Sequence, residues 1–333
     1  MSADRGTITK DEKRPAYVAL HVKVSVSQLD STFVGETAAV LTSGLWTVSS
    51  LFFTAAGRRI GSLSVNGYRT VMAVGFLLVT HLVLLGTIFP LASSAQWFWM
   101  GASGVVGLGI GDSGLFAAYV MIGPRRSLLM MALSPIFASL GAYLMLGETM
   151  PAVAAFGIAL TLGGVVLVIL EGEGHSGEIP VPKKLKHYGV FFGLIAAIGQ
   201  GVGLVLAKKG IELNPAVTLN PLSATLMRML LAACSLWLFM LCARRLPELR
   251  SAFKNKEGMR QTAAAAFVGP FLGVTLSMVA VTYAETGIAQ TLLSLMPIMI
   301  IPVVWILYRR KTSWRGILGA AIAVIGVSIL FLV

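Results

Sequence analysis

Charge is scarce in this chain, and cysteine and histidine are scarcer. Only 12% of its 333 residues are charged, two are cysteine and four are histidine. So few charged side chains cannot coat a globule of this size. With 56% hydrophobic residues and a mean hydropathy of +0.83, the chain has to reside in lipid. The two cysteines, Cys234 and Cys242, fall in one apolar run, which excludes a disulfide framework and a cysteine metal site and leaves packing as their role. No Gly-x-x-x-x-Gly-Lys loop occurs, so ATP could act only through another subunit. Residues 1–32 lack the apolar stretch of a cleavable signal, and none is expected. The net charge of +12 does not indicate nucleic acid, because Lys and Arg sit in short loops between apolar runs and act as topology signals.

What is abundant is apolar sequence in helix-length blocks. A crossing takes about 20 apolar residues, and about ten blocks can be drawn, at 33–55, 67–89, 96–121, 127–146, 152–170, 188–207, 222–241, 262–284, 287–307 and 314–333. Residues 107–170 overlie 269–332 without a gap. Gly107 pairs with Gly269, Gly111 with Gly273, Leu133 with Leu295, Pro135 with Pro297, Gly157 with Gly319 and Gly164 with Gly326. An odd number of crossings per copy turns the second copy upside down, the mark of an inverted-repeat transporter. The expected fold is an all-α polytopic membrane protein of ten transmembrane helices in two inverted five-helix repeats. The repeats span 33–170 and 188–333, with a linker at 171–187 and a tail at 1–32. Within that tail, 18–26 alternates apolar and polar residues with strand periodicity, but no partner strand exists and no role is assigned to it.

Polar groups inside the blocks mark candidate sites, since an unsatisfied polar group in hydrocarbon is costly. Asp112, near the middle of the third block, is the sharpest. It shares a face with Phe116 and Tyr119, beside a stripe of Gly104, Gly107, Gly111 and Gly114. In a partly wet cavity it could couple a proton or pair with a cation; the alternative is an aspartate bonded to a neighbouring helix. Its counterpart is Val274, so its role is one-sided. The first block carries Glu36, Ser43, Thr47 and Ser50 on one face with Trp46 beside it, either a cavity wall or helix packing. Pro135 beside Ser134, and Pro297 with Gln290 and Ser294, free backbone carbonyls at matching places, which can line a site at the repeat interface or only kink the helices. Gln200, Thr275 and Tyr283 complete the expected lining. Arg69 and Arg228, at corresponding places in the two halves, read as snorkelling to headgroups or bracing a loop, and His81 as a hydrogen-bonded packing residue.

Gly101-Ala102-Ser103-Gly104 and Gly111-Asp112-Ser113-Gly114 have the Gly-x-Ser-Gly form of rhomboid proteases. The histidine at membrane depth, His81, precedes both serines, whereas rhomboids place theirs after, so no enzyme is expected. The run Gly123-Pro124-Arg125-Arg126-Ser127, then Leu133-Ser134-Pro135-Ile136-Phe137, then Leu146-Gly147-Glu148 resembles the signature of the EamA family of the drug/metabolite transporter superfamily. Gly35-Glu36-Thr37-Ala38-Ala39 through Leu45-Trp46 resembles its first helix. Gly269-Pro270, Ala289, Leu295-Met296-Pro297 and Gly319 resemble its second repeat. In one departure, Arg309-Arg310-Lys311 stands where the second copy often carries a glutamate turn, which leaves Glu148 without a twin. The resemblance implies ten helices around a central cavity built mainly by the first, third, fourth, sixth, eighth and ninth. It further implies alternating access, with amino acids, other metabolites or drugs as cargo, often outward.

Basic residues follow the odd-numbered blocks: Arg58 and Arg59, Arg125 and Arg126, Lys183, Lys184 and Lys186, the stretch 244–260, and Arg309 to Lys311. Positive loops stay inside, which puts both termini outside, opposite to many members of the resembled family. The side of Lys208 and Lys209 depends on where the sixth helix ends. Taken together, the expectation is a secondary transporter in a bacterial inner membrane, exporting amino acids or similar polar metabolites. A drug or cation exporter using Asp112 as charge partner is the alternative. A passive channel would need a continuous polar pore, whereas polar residues here gather near mid-depth. Expected partners are a small-molecule substrate and the lipid bilayer, with the proton as candidate coupling ion and a homodimer as candidate assembly; no nucleic acid, metal or cofactor is expected.

Overall fold

The structure, a computed structural model, describes residues 14–171, 183–213, 219–296, 298–299 and 314–330. Outside short loops these residues are helical, as a backbone in lipid must be, because a helix satisfies its own N–H and C=O groups. The helices are α1 (Arg14–Ile60), α2 (Ser62–Leu85), α3 (Ser94–Ser103), α4 (Asp112–Met131), α5 (Ser134–Leu146), α6 (Ala152–Glu171), α7 (Lys183–Glu212), α8 (Pro221–Cys242), α9 (Leu246–Phe253), α10 (Lys256–Ala266), α11 (Val274–Tyr283), α12 (Thr286–Leu293) and α13 (Trp314–Leu330). Two π-helical segments, Gly104–Gly111 and Phe267–Gly273, join α3 to α4 and α10 to α11. Ser93 and Gln96 form a capping box at α3, Asn220 caps α8 ahead of Pro221, and Gly86 and Gly147 take a left-handed φ of 72° where α2 and α5 stop.

Among the described residues five helices are long and apolar enough to cross a bilayer: Ser31–Ile60, Ser62–Leu85, His187–Glu212, Pro221–Cys242 and Lys256–Tyr283. Ser134–Leu146, Ala152–Leu167 and Trp314–Leu330 are shorter apolar helices. The chain is polytopic, and the expected ten spans are met only to that extent. The end of the ninth block lies outside the described residues.

Two boundaries differ from expectation. Helix α1 begins at Arg14, so part of the expected tail, including the alternating stretch 18–26, is helix and not strand; with no partner strand, a helix is what satisfies that backbone. The turn expected at 123–126 is also absent, because α4 continues to Met131. The break comes at Ala132 and Leu133, just before Pro135, whose missing N–H suits the first turn of a helix. The middle and the C-terminal end of α4 pack on α7, Met121 and Ile122 at Gly189, and Ala118 and Met130 at Gly193.

The internal repeat is visible in the geometry. The two π-helical segments end on Gly111 and Gly273, a matched pair. In both copies the next break is made by tight i to i−3 bonds at matched residues: Leu133 N–H to Met130 O at 3.0 Å and Ile136 N–H to Leu133 O at 3.0 Å, against Leu295 N–H to Leu292 O at 3.3 Å and Ile298 N–H to Leu295 O at 2.9 Å. Packing between the copies is crosswise. Gly107 and Gly111 lie against Gly203 and Gly199 of α7, and their equivalents Gly269 and Gly273 lie against Ser49 and Trp46 of α1. A Cβ on Gly201 would stand 2.6 Å from the carbonyl oxygen of Ser134, and Thr47 at the corresponding place on α1 donates to Met296 O at 3.3 Å.

The last helices of the copies, α6 and α13, fix the sense of the symmetry. A Cβ on Gly164 would stand 2.5 Å from Gly319 O, and one on Gly326 would stand 2.8 Å from Gly157 O. Since Gly157 is equivalent to Gly319 and Gly164 to Gly326, unlike members meet and the two helices run antiparallel. A twofold axis lying in the membrane plane requires that arrangement; one along the membrane normal would set like against like. Gly164→Ala is expected to destabilise the protein by about 1–3 kcal/mol through overpacking. Gly163→Ala, whose Cβ would meet nothing within 4 Å, is expected to be neutral or mildly stabilising. Thermal unfolding of the detergent-purified variants checks both.

Candidate functional site

Asp112 is the first residue of α4, placed at the exit of the π-helical segment, and is 7% exposed. One carboxylate oxygen accepts from Arg69 Nη2 of α2. The other accepts from Gln200 Nε2 of α7 at 2.6 Å. Gln200 Nε2 also lies 3.2 Å from Gly107 O, a carbonyl within the π-helical segment. Arg69 is braced further by Asn66, whose Oδ1 accepts from Nε at 2.7 Å. The ring centroids of Phe116 and Phe53 lie 5.2 and 5.7 Å from its guanidinium carbon, and the two rings meet edge to face at 6.4 Å. The ion pair is therefore buried and satisfied on both sides, the condition under which charges persist away from water.

Two further polar clusters tie the copies together. Gln290 Nε2 of α12 donates to Ser134 Oγ at 2.8 Å, and Ser294 Oγ donates to Gln290 O at 2.8 Å, so the matched break regions touch. Where α5 ends, Lys208 of α7 lies 2.7 Å from Glu148 Oε1 and donates to Ala284 O at 2.9 Å. Glu148 also accepts from Thr286 N–H at 3.0 Å and from Thr286 Oγ1 at 3.1 Å, placing a carboxylate at the N-terminus of α12. Since α7 runs on to Glu212, Lys208 is a helix residue beside the loops that follow even-numbered blocks. Its charge is neutralised there by Glu148. Burial, with the Glu148 carboxylate adding to it, pushes the Glu285 carboxyl above its ordinary range, and Lys208 works the other way.

The sequence model of the EamA-like transporter family matches residues 33–170 and 187–332. The chain belongs to the EamA-like transporter family. It is accordingly a multi-pass membrane protein of a transporter family and not an enzyme. A solved structure described as "Crystal structure of protein" superposes with a TM-score of 0.70 at 15% identity, covering 91% of this chain and 96% of its own, a likeness of fold alone. A sodium-calcium exchanger aligns over 91% of this chain and 98% of its own at 17% identity, but its TM-score of 0.18 carries no argument. Comparison with curated proteins finds no match.

In this family member the structure gathers Asp112, Phe116 and Gln200 into one layer, and Ser134, Pro135, Gln290 and Ser294 into a second. Trp46 is half-buried, its Nε1 against Gly273. Thr275 bonds back to Phe271 O of the preceding π-helical segment at 2.5 Å. Tyr283 is 45% exposed and stands apart from both layers. Pro297 and the side chain of Tyr119 lie outside the described residues. Arg69 and Arg228 do not snorkel; they are 8% and 3% exposed. Arg69 could have been found from sequence only by asking what neutralises Asp112, and Lys208 only by asking the same of Glu148. His81 behaves as a packing residue, with Nδ1 2.6 Å from Thr87 O and Nε2 3.0 Å from Ser223 Oγ. It lines a cavity of about 240 Å³ with Gln96, Asn220 and Ser223, away from the ion pair.

Asp112→Asn leaves the Arg69 guanidinium without its counter-charge and is expected to cost about 3–5 kcal/mol, while Arg69→Met combined with Asp112→Leu should recover most of that loss. A double-mutant cycle of thermal stabilities measures it. Glu285 titrates higher folded than unfolded, so the folded state holds the extra proton. Its contribution is full below the ordinary carboxylate range and is lost as pH rises through the raised value. Glu285→Gln is therefore expected to match the parent at low pH and exceed its stability near neutrality, read from melting temperature against pH.

Proposed function

We propose that this EamA member is a secondary transporter of small polar metabolites, most simply an exporter of amino acids or related solutes across a bacterial inner membrane. It works by alternating access, with ten helices arranged as two inverted five-helix repeats at 33–170 and 188–333. The observation that carries the reading is the buried layer of Arg69, Asp112 and Gln200. It spans helices of the first copy and the first long helix of the second, where a membrane protein has no structural need for full charges. Phe116, Trp46, Ser134, Pro135, Thr275, Gln290 and Ser294 are the further lining residues. The cluster of Glu148, Lys208 and Thr286 acts as a latch between the copies at one end, which must open in one of the two access states.

A cation exporter that uses Asp112 as the charge partner is disfavoured, since both carboxylate oxygens are already engaged by Arg69 and Gln200. The proton remains the candidate coupling ion and a second copy of the chain a candidate partner. Counterflow in proteoliposomes loaded with amino-acid pools tests the function. Saturable, trans-stimulated uptake is expected. Flux that rises linearly with concentration, or no flux with any pool, contradicts it.

A further inference from the structure

Among the described residues, Arg228 is a cationic side chain that its surroundings leave conspicuously undersupplied. It lies on α8, is 3% exposed, and its Nε is buried with no hydrogen-bond partner. Its Nη1 reaches only the thioether sulfur of Met278, at 3.2 Å, and thioether sulfur is a weak acceptor. None of the ion pairs among the described residues includes it. Leaving a buried guanidinium with most of its five donors unmatched is costly, so Arg228 calls for acceptors that its protein neighbours do not supply.

The place is a seam kept narrow by glycine. Gly104 packs on the backbone of Arg228, where a Cβ would stand 2.1 Å from its carbonyl oxygen. A Cβ on Gly107 would lie 3.4 Å from Arg228 Nη2, and the carbonyl of the same Gly107 is held by Gln200, the partner of Asp112. Arg228 thus reaches the polar layer already described, from the opposite side of one glycine. Counting that layer, Arg69 and Arg228 contribute two positive charges and Asp112 one negative charge. A single carboxylate set against Arg228 cancels the remainder there, the ammonium of an amino-acid cargo lying away from the guanidinium, whereas a phosphate dianion would overshoot and bury a negative charge.

We infer that Arg228 receives the carboxylate of the transported solute, so that the cargo of this protein carries one carboxylate group. The guanidinium fork matches a carboxylate with two parallel N–H donors. The inference rests on the transport reading, and its test separates the two. Full-length protein in nanodiscs is melted with valerate, with valeramide and with inorganic phosphate. Valerate is expected to raise the melting temperature, valeramide to leave it unchanged, and phosphate to act more weakly than valerate.

Arg228→Met is expected to melt at or above the parent without ligand, because an unpartnered charge has been removed, and to bind valerate about 30-fold or more weakly. Arg228→Lys, which keeps the charge but not the fork, should retain a reduced response. The inference is overturned if valerate and valeramide act alike, if phosphate binds more tightly than valerate, or if the Met variant responds as the parent does. It is equally overturned if that variant fails to fold, which would make Arg228 a structural strut. Counterflow of valerate separates the readings: binding without counterflow sinks transport and leaves the site, while Arg228-independent counterflow of valerate sinks the site and leaves transport.

Discussion

Backbone meets backbone where glycine faces glycine, and the architecture follows from that contact. Gly107 with Gly203, Gly111 with Gly199, Gly157 with Gly326 and Gly164 with Gly319 each join one copy to the other. Lipid tails are as apolar as leucine, so nothing drives two apolar helices together in a bilayer except close packing and hydrogen bonds. Removing the side chains at these points allows the closest packing available, and it does so along two separate seams. One seam runs between the α3 to α4 region and α7, the other between α6 and α13. A side chain at Gly164, Gly199, Gly203 or Gly326 would push the copies apart.

The charged layer is a consequence of the first seam. The π-helical segment that carries Gly107 and Gly111 shifts the helical phase, and its exit sets Asp112 against Gln200. Arg69 then neutralises the carboxylate from α2, with Phe53 and Phe116 closing over the guanidinium. Close approach without side chains also gives the layer a way to separate, since glycine contacts involve no interlocked rotamers. The latch of Glu148, Lys208 and Thr286 is of a different kind, made of charge-assisted bonds between the end of α5, α7 and the start of α12. Separable glycine contacts near the charges and breakable bonds at one end suit the alternating access proposed above.

Much of this is legible in the sequence. The register that pairs Gly157 with Gly319 and Gly164 with Gly326 was plain in the sequence, and those four glycines do meet, though crosswise. Asp112 and Gln200 were each suspect as polar groups in apolar blocks, and they turned out to touch. Arg69 and Arg228 were not legible as buried residues, because a helix position says how deep a side chain starts but not which neighbour it faces. The first π-helical segment leaves no signal, since an i to i−5 bond requires no particular residue type, whereas Pro270 marks the second by removing a backbone donor. Tyr283, expected in the lining as a polar residue of the eighth block, stands where α11 ends and is 45% exposed. The helical stretch from Arg14 defied its strand-like alternation for want of a partner strand.

The central claim is that the two copies lie antiparallel across one bilayer. The loops after α2 and after α8 hold equivalent places in the copies, and both are described. Leu91 in the first is 88% exposed, and Ala243 in the second is exposed as well. With Cys234 and Cys242, both exposed, replaced by serine, single cysteines at Leu91 and at Ala243 can be probed in intact cells with a membrane-impermeant maleimide. The account predicts labelling of one position from outside the cell and of the other only after permeabilisation. Labelling of both from the same side would contradict it.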